Sequence, residues 1–363
     1  MNKIAENRKK IQEAMATMRK NLDKKGSEMT MGFGDEMKEN MKVRKTLTKI
    51  PELDILTKGG ICRGRITELW GRESSGKTTM SLVIASQFHK MFPDQYVVYS
   101  NNEHTFDPVW AKTNGLDPDD PRFIINNAEC LEDSLNFCIA MADTKAISCM
   151  IIDSITGLSS RSEIKDKKGV QRDIDDNTIA VIPRTLSQFF RMAVGKIAKS
   201  KMALLVTNQV RTQGIGGVFV HDGTAGGNAL KHYKSLSLEV KRGVKADAPM
   251  GPDNKTIIGY NMVAKVTKDK TGALEGDSAH IPFLNGQGPV NPYAVINSAI
   301  QRGIINRAGA SYTYKDHKVV GKAKLEPYFV ENGLIDTIQN EIYKINGIME
   351  DPNGENGSSK KVK

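Results

Sequence analysis

One short segment carries the residue types and spacing that bind phosphate. Residues 71–79 read G-R-E-S-S-G-K-T-T and fit the pattern G-x-x-x-x-G-K-[ST], between an apolar β-rich run and a helix-like run. Glycines let backbone N–H groups turn toward phosphate oxygens, and the N-terminus of the following helix adds its positive dipole end. Lys77 can reach the terminal phosphates and Thr78 can ligate Mg²⁺. The motif predicts a nucleoside triphosphate site whose residues are Gly71, Glu73, Ser74, Ser75, Gly76, Lys77, Thr78 and Thr79.

Nucleotide hydrolysis also needs acidic groups, and two candidates follow strand-like runs. Asp153 ends the apolar run Met150–Asp153, which is the pattern of a second, metal-binding carboxylate. Glu103 follows the run Tyr96–Ser100, where it could orient or activate water. From the residues alone, an exposed loop glutamate is an equally good reading of Glu103.

The elements that must position these residues alternate between β-rich and helical runs. Such alternation predicts an α/β fold, a P-loop ATPase core with a mostly parallel sheet flanked by helices, and ligands bind at the carboxyl ends of such strands. The predicted strands are Ile66–Trp70, Tyr96–Ser100, Phe123–Asn127, Cys149–Asp153, Ala203–Thr207, Ser235–Val240, Tyr260–Thr267 and His280–Phe283. The predicted helices are Thr78–Met91, Val109–Asn114, Leu131–Ala142 and Thr178–Ser200.

Regions outside this core have different patterns. Residues 1–25 place Ile4, Ile11, Met15, Met18 and Leu22 on one helical face, which needs another surface to cover it. We expect an N-terminal oligomerisation helix and hinge at 1–45, the ATPase core at 46–287, a small C-terminal α+β domain at 288–350 and a disordered tail at 351–363. The stretches 160–176 and 211–227 read as long loops within the core.

Composition limits the setting and the partners. The chain has 363 residues and a formal net charge of +10, which favours an anionic partner, with nucleic acid the first candidate. A merely basic soluble protein is the alternative, and charge alone does not separate the two. It has no apolar run long enough to span a membrane, so we expect a cytoplasmic protein without membrane contact. The four cysteines lack metal-type or redox-type spacing and are predicted to be buried free thiols.

Over nearly its whole length the chain resembles the bacterial RecA recombinase family. The resemblance is carried by motifs in the family's order: the phosphate loop, Glu103-His104 with Asp107-Pro108 and Trp110-Ala111, Asp153-Ser154, Thr207–Arg211, Gly226–Lys231, Lys268-Asp269-Lys270, and Lys25-Gly26-Ser27 with Met29.

The resemblance implies specific roles at the nucleotide. Glu103 would activate the attacking water, and Gln209 would sense the γ-phosphate. Lys268 and Lys270 would reach the nucleotide of a neighbouring subunit. Asp107 would hydrogen-bond adenine and Trp110 would stack on it, in place of the family's usual tyrosine.

The resemblance also implies ATP and Mg²⁺ as cofactors and DNA as partner. Protomers would form a helical filament on single-stranded DNA and carry out homologous pairing and strand exchange with double-stranded DNA, in recombination and repair. Single-strand-binding and mediator proteins are further candidate partners. The DNA-binding residues would lie in and beside the two long loops: Arg184, Arg191, Arg211, Phe219, Gly226, Gly227 and Asn228.

Some residues depart from the family pattern. His232 stands where the family usually has an interface phenylalanine, and the tail at 357–363 is basic where the family's is usually acidic. The first loop is also more basic than is typical. These departures fit a divergent, phage- or plasmid-encoded member. Two other classes share the ATPase core: a ring-forming DNA helicase, and an ATP-switched DNA-binding or loading protein without recombinase activity.

Overall fold

The computed structural model describes residues 3–25, 29–38, 41–165, 169–172, 181–213, 221–224, 228–253 and 255–348. The chain divides into two compact units, Met1–Val43 and Arg44–Lys363. Within the described ranges, no helix is long and apolar enough to cross a lipid bilayer.

The first unit is built from helix α1 (Lys3–Asp23) and the short helix α2 (Gly34–Met37). Arg8 of α1 forms salt bridges to Asp35 at 3.0 Å and Glu36 at 3.1 Å, and its guanidinium lies 4.1 Å from the centre of the Phe33 ring. The predicted N-terminal helix is therefore present. No residue of α1 is buried, and Ile4, Ile11 and Met18 of its apolar stripe are exposed.

The second unit contains the other elements. Its strands are β1 (Lys45–Thr46), β2 (Ile61–Cys62), β3 (Ile66–Gly71), β4 (Tyr96–Asn101), β5 (Phe123–Asn126), β6 (Ile147–Asp153), β7 (Ala203–Gln213), β8 (His221–Thr224), β9 (Leu236–Arg242), β10 (Gly259–Asp269), β11 (Ser278–Leu284), β12 (Asn306–Ala308), β13 (Ser311–Tyr314) and β14 (His317–Val320). Its α-helices are α3 (Pro51–Leu56), α4 (Lys77–Met91), α5 (Pro108–Thr113), α6 (Leu131–Thr144), α7 (Arg161–Ile164), α8 (Val181–Ser200), α9 (Asn228–Tyr233), α10 (Pro292–Gln301), α11 (Lys322–Glu331) and α12 (Ile335–Ile345).

The main sheet has the strand order β11-β10-β9-β3-β7-β6-β4-β5. The pairs from β9 to β5 are parallel, whereas β10 and β11 add antiparallel strands at one edge. Parallel strands point their carboxyl ends at the same edge of a sheet, so the residues after β3, β4 and β6 come together there, next to Gln209, the last residue of β7 that pairs with β3.

Apolar side chains cover both faces of this sheet, as buried parallel strands require. On one face α4 packs Leu82, Val83 and Phe88 against the strands. On the other, α6 and α8 contribute Leu135, Phe189 and Phe190 among others. Helices α10 to α12 and the small sheet β12-β13-β14 enclose a third core.

The predicted α/β fold is confirmed, with strand ends shifted by a few residues. The reading of 211–227 as one long loop was wrong at its edges, because β7 continues to Gln213 and its residues 210–213 pair antiparallel with β8. The loop 160–176 likewise contains α7 and a bridge between Lys165 and Gln171. In both stretches, backbone pairing forms regular structure where the glycine-rich or charged composition indicated only a loop. The four cysteines are buried free thiols, as predicted. The tail at 351–363 lies outside the described residues, and the domain boundaries stay predictions.

Candidate active site

The phosphate loop connects β3 to α4 and requires glycine at two of its positions. Gly76 has a φ of +97°, and a Cβ there would lie 2.4 Å from Met262 Cε. A Cβ on Gly71 would lie 2.1 Å from the carbonyl oxygen of Val240 on the neighbouring strand. Both positions therefore require glycine, for backbone conformation in the first case and for close strand approach in the second.

Lys77, the first residue of α4, curls back over the loop. Its Nζ donates to the carbonyl oxygens of Arg72 at 2.8 Å and Gly71 at 3.2 Å. Burial lowers the pKa of this ammonium, and the carboxylates of Asp153, Glu103 and Glu73 act in the opposite direction. The ammonium group therefore lies against the backbone of the loop, where phosphate oxygens would replace the carbonyls as acceptors.

Asp153, at the end of β6, is held by three hydroxyl groups. Its Oδ2 accepts hydrogen bonds from Thr78 Oγ1 and Tyr99 OH, each at 2.7 Å, and its Oδ1 accepts one from Thr207 Oγ1. Only 3% of its surface is exposed. The oxygens of Thr78 and Asp153 are hard donors of the kind that Mg²⁺ prefers, so this pair fits the predicted metal site.

Glu103, two residues after β4, faces Gln209, the last residue of β7 that pairs with β3. Gln209 Nε2 donates to Glu103 Oε1 at 3.1 Å, and the backbone N–H of Glu103 donates to the carbonyl of Asp153 at 3.1 Å. The structure therefore brings the predicted water-activating carboxylate and the predicted phosphate sensor into direct contact beside the predicted metal-binding pair, Thr78 and Asp153.

The two predicted adenine-binding residues lie at the start of α5. Asp107 caps this helix, since its Oδ1 accepts from the backbone N–H groups of Val109 at 2.9 Å and Trp110 at 3.1 Å. Trp110 Nε1 donates to Thr79 Oγ1 at 3.0 Å, which ties α5 to the helix of the phosphate loop. Both residues thus have structural contacts of their own next to the loop, and their contacts with adenine stay a prediction.

Lys268 and Lys270 project toward the same target, the last turn of α9. Lys268 Nζ donates to the carbonyl of Lys231, and Lys270 Nζ donates to the carbonyl of His232 at 3.1 Å. Burial, together with the charges of Lys270 and Lys234, lowers the pKa of Lys268. Lys268 and Lys270 therefore point in the same direction, as expected for side chains two apart. The contacts described do not bring either lysine to Lys77 of the same subunit.

The predicted DNA-binding residues are described only in part. Arg184 and Arg191 are both exposed on α8, opposite its buried residues. Arg211 lies within β7 and Asn228 begins α9. Phe219, Gly226 and Gly227 lie outside the described residues.

Sequence reasoning missed two of the groups that hold Asp153. Tyr99 was read only as part of a strand, and Thr207 only as part of a motif. Tyr99 is a buried phenol that follows the apolar residues Val97 and Val98 in its strand, and such a hydroxyl needs a partner. That requirement was the available signal, although it did not identify the partner.

The family model described as the RecA N-terminal domain matches residues 9–288. Protein RecA of Ruminococcus albus is 32% identical over 316 residues, which cover 86% of this chain and 74% of that protein. Protein RecA of Lactococcus lactis subsp. cremoris strain MG1363 is 31% identical over 351 residues, which cover 96% of this chain and 86% of that protein. Since the match extends over most of both chains and includes the site just described, the chain belongs to the RecA family.

Proposed function

We propose that this protein is a DNA-dependent ATPase that assembles as a helical filament on single-stranded DNA and catalyses homologous pairing and strand exchange. The observation that carries the proposal is the cluster at the carboxyl end of the sheet. There Lys77, the pair Thr78 and Asp153, and the pair Glu103 and Gln209 meet, as ATP hydrolysis requires.

In this proposal each residue has a separate task. Lys77 binds the terminal phosphates, and the loop N–H groups hold the remaining phosphate oxygens. Thr78 and Asp153 would hold Mg²⁺, which when bound neutralises phosphate charge. Glu103 orients a water molecule and accepts its proton as the water attacks the γ-phosphate.

Gln209 would transmit the presence of the γ-phosphate to the DNA-binding loop. This residue lies on β7, the same strand that continues to Gln213 and pairs with β8. A shift of the Gln209 side chain from Glu103 to the γ-phosphate would therefore act on the strand that leads directly into the second predicted DNA loop. Binding of ATP would favour the DNA-bound state, and hydrolysis would release it.

The proposal is tested by comparing strand exchange with unwinding. Purified protein with ATP, Mg²⁺, single-stranded DNA and a homologous duplex should give joint molecules, and electron microscopy should show helical filaments. A helicase would instead unwind a forked duplex without homology. A protein that binds DNA in an ATP-dependent way but gives neither product would favour the third class, a DNA-binding or loading protein.

The assignment of Lys268 and Lys270 across the subunit boundary needs its own experiment. Alanine at both positions should leave ATP binding intact but remove most DNA-stimulated turnover, because charge developing on the γ-phosphate would lack its cations from the neighbour. Mixing this variant with Lys77→Ala protein should restore part of the turnover, since some boundaries would then pair an intact loop with intact lysines. Co-assembled filaments no more active than the separate variants would contradict action in trans.

A further inference from the structure

Beneath the active site lies a buried polar cluster that the catalytic assignments above leave unused. We name it the Glu68 network, formed by Glu68, Asn208, Lys234 and Ser237. Glu68 Oε1 accepts a hydrogen bond from Asn208 Nδ2 at 3.0 Å, and Oε2 accepts from Lys234 Nζ and from Ser237 Oγ at 2.8 Å. Glu68 and Asn208 are fully buried, and Lys234 is 7% exposed.

A charged pair at this depth is a poor device for stability alone. Removing a carboxylate and an ammonium from water is unfavourable, and well-packed apolar residues often replace such pairs without loss of stability. The same pair is expensive to break, so it holds its neighbours in fixed relative positions. The role of the Glu68 network therefore depends on which elements of the fold it holds together.

One end of the Glu68 network holds the predicted phosphate sensor. Asn208 precedes Gln209 on β7, and its Oδ1 accepts the backbone N–H of Gln209 at 2.9 Å. The other side-chain atom of Asn208, its Nδ2, is the donor to Glu68. The orientation of the Asn208 amide thus links the backbone at Gln209 to the carboxylate of Glu68.

The other end of the network holds the last turn of α9. The backbone N–H of Lys234 donates to the carbonyl of Leu230 at 3.0 Å, so Lys234 continues directly from this helix. The carbonyls of the same turn accept Lys268 Nζ and Lys270 Nζ. Glu68 therefore lies between the sensor and the helix end on which both predicted boundary lysines rest.

We propose that Glu68 and Lys234 are positioning residues that couple Gln209 to the C-terminal turn of α9, and through it to Lys268 and Lys270. The inference rests on the proposed function and deepens it. A displacement of β7 at Gln209 moves the Asn208 amide. The planar carboxylate of Glu68, bonded on both oxygens, transmits that displacement to Lys234 and so to the subunit boundary.

The test removes the charges together so that neither is left buried and unpaired. The double variant Glu68→Gln with Lys234→Met is compared with Thr267→Val. Thr267 is the matched control because its hydroxyl donates to Ser237 Oγ at 3.0 Å on the side of the network away from Gln209. The measurements are melting temperature, the Kd for ATP, kcat and KM of the DNA-stimulated ATPase, and the ratio of single-stranded DNA affinities with a non-hydrolysable ATP analogue and with ADP.

We expect the double variant to melt near the wild-type temperature and to bind ATP normally. Its kcat and its ratio of DNA affinities should each fall by about tenfold or more, which is the range of allosteric coupling. KM should change little, and the control should keep the wild-type ratio. A folded double variant with the wild-type ratio would overturn the inference.

A second variant covers failure of the first to fold. Asn208→Ala leaves Glu68, Lys234 and Ser237 in place and removes the amide that joins Glu68 to the backbone of Gln209, so the ratio of DNA affinities should fall as in the double variant. Retention of the wild-type ratio in this variant would equally overturn the inference. If the wild-type protein itself shows no nucleotide-dependent DNA affinity, the proposed function fails; if it does and the variants keep it, only the coupling fails.

Discussion

Two buried aspartates in this protein have nearly the same partners and serve different purposes. Asp153 accepts hydrogen bonds from a tyrosine and two threonine hydroxyls. Asp54, on α3, accepts them from Tyr343 OH at 2.6 Å and from the hydroxyl and backbone N–H of Thr48, both at 2.8 Å. Local chemistry therefore does not distinguish the two sites.

The positions of the two aspartates in the fold distinguish the two sites. Asp153 ends a parallel strand beside Lys77 and the phosphate loop, where a ligand can approach. Asp54 is enclosed where α3 meets α12, and burial raises its pKa to about 6, against the hydrogen bonds of Tyr343 and Thr48. Nearby, Arg302 of the C-terminal segment forms a two-point ion pair with Glu52, at 2.7 and 2.8 Å. The end of the sheet therefore places Asp153 at the predicted nucleotide site, whereas the contacts at the α3–α12 junction attach the C-terminal helices to α3.

The largest expected effect compares one glutamate from each region. Glu103→Gln keeps the shape of the side chain but removes its basicity, so ATP turnover should fall by roughly 10²- to 10⁴-fold while ATP binding persists. Glu52→Gln makes the same chemical change at the junction and should leave turnover unaltered. Steady-state ATPase assays with single-stranded DNA check both. Near-normal turnover in Glu103→Gln would rule out the hydrolytic assignment.

The pKa of Asp54 predicts an effect of pH on stability. Because the folded protein holds this proton more tightly than the unfolded chain, the stabilising contribution is complete below about pH 4 and is lost as pH rises through about 6. The difference between the ordinary pKa and the raised one corresponds to about 3 kcal/mol. The measurement is the difference in free energy of unfolding between wild type and Asp54→Asn, from denaturant unfolding at pH 4 to 7. The other titrating groups are present in both proteins, so the difference reports Asp54. A constant difference between the two proteins across this range would contradict the prediction.

The smallest effects come from removing one hydroxyl at each aspartate. Tyr343→Phe should lower the free energy of unfolding by about 1 to 2 kcal/mol, since Asp54 loses a buried donor, and should leave kcat unchanged. Tyr99→Phe should cost similar stability but also lower kcat several-fold, because Asp153 would be held less firmly beside Thr78. Thermal melts and ATPase assays on both variants test this contrast. Equal effects of the two variants on kcat would remove the distinction between the regions.

Features formed by residues close together in the sequence were predictable, and so was the family. The phosphate loop, the alternation of strands and helices, and the placement of Asp153 and Glu103 at strand ends all follow from local patterns, because periodicity and turn chemistry act over a few residues. The strand ends were less exact. At β7 and β8 the pairing of two backbone segments decided the structure where composition indicated only a loop.

What the sequence by itself determined is therefore the class of fold and the set of candidate catalytic residue types that it carries. The tertiary structure decided which distant groups hold those residues. Tyr99 and Thr207 meet Asp153 across 54 positions each, and Glu68 meets Lys234 across 166. Such contacts depend on strand order, β9-β3-β7-β6-β4-β5 within the sheet, and on how helices pack against it. No local pattern encodes that order, because it results from the packing of the whole core.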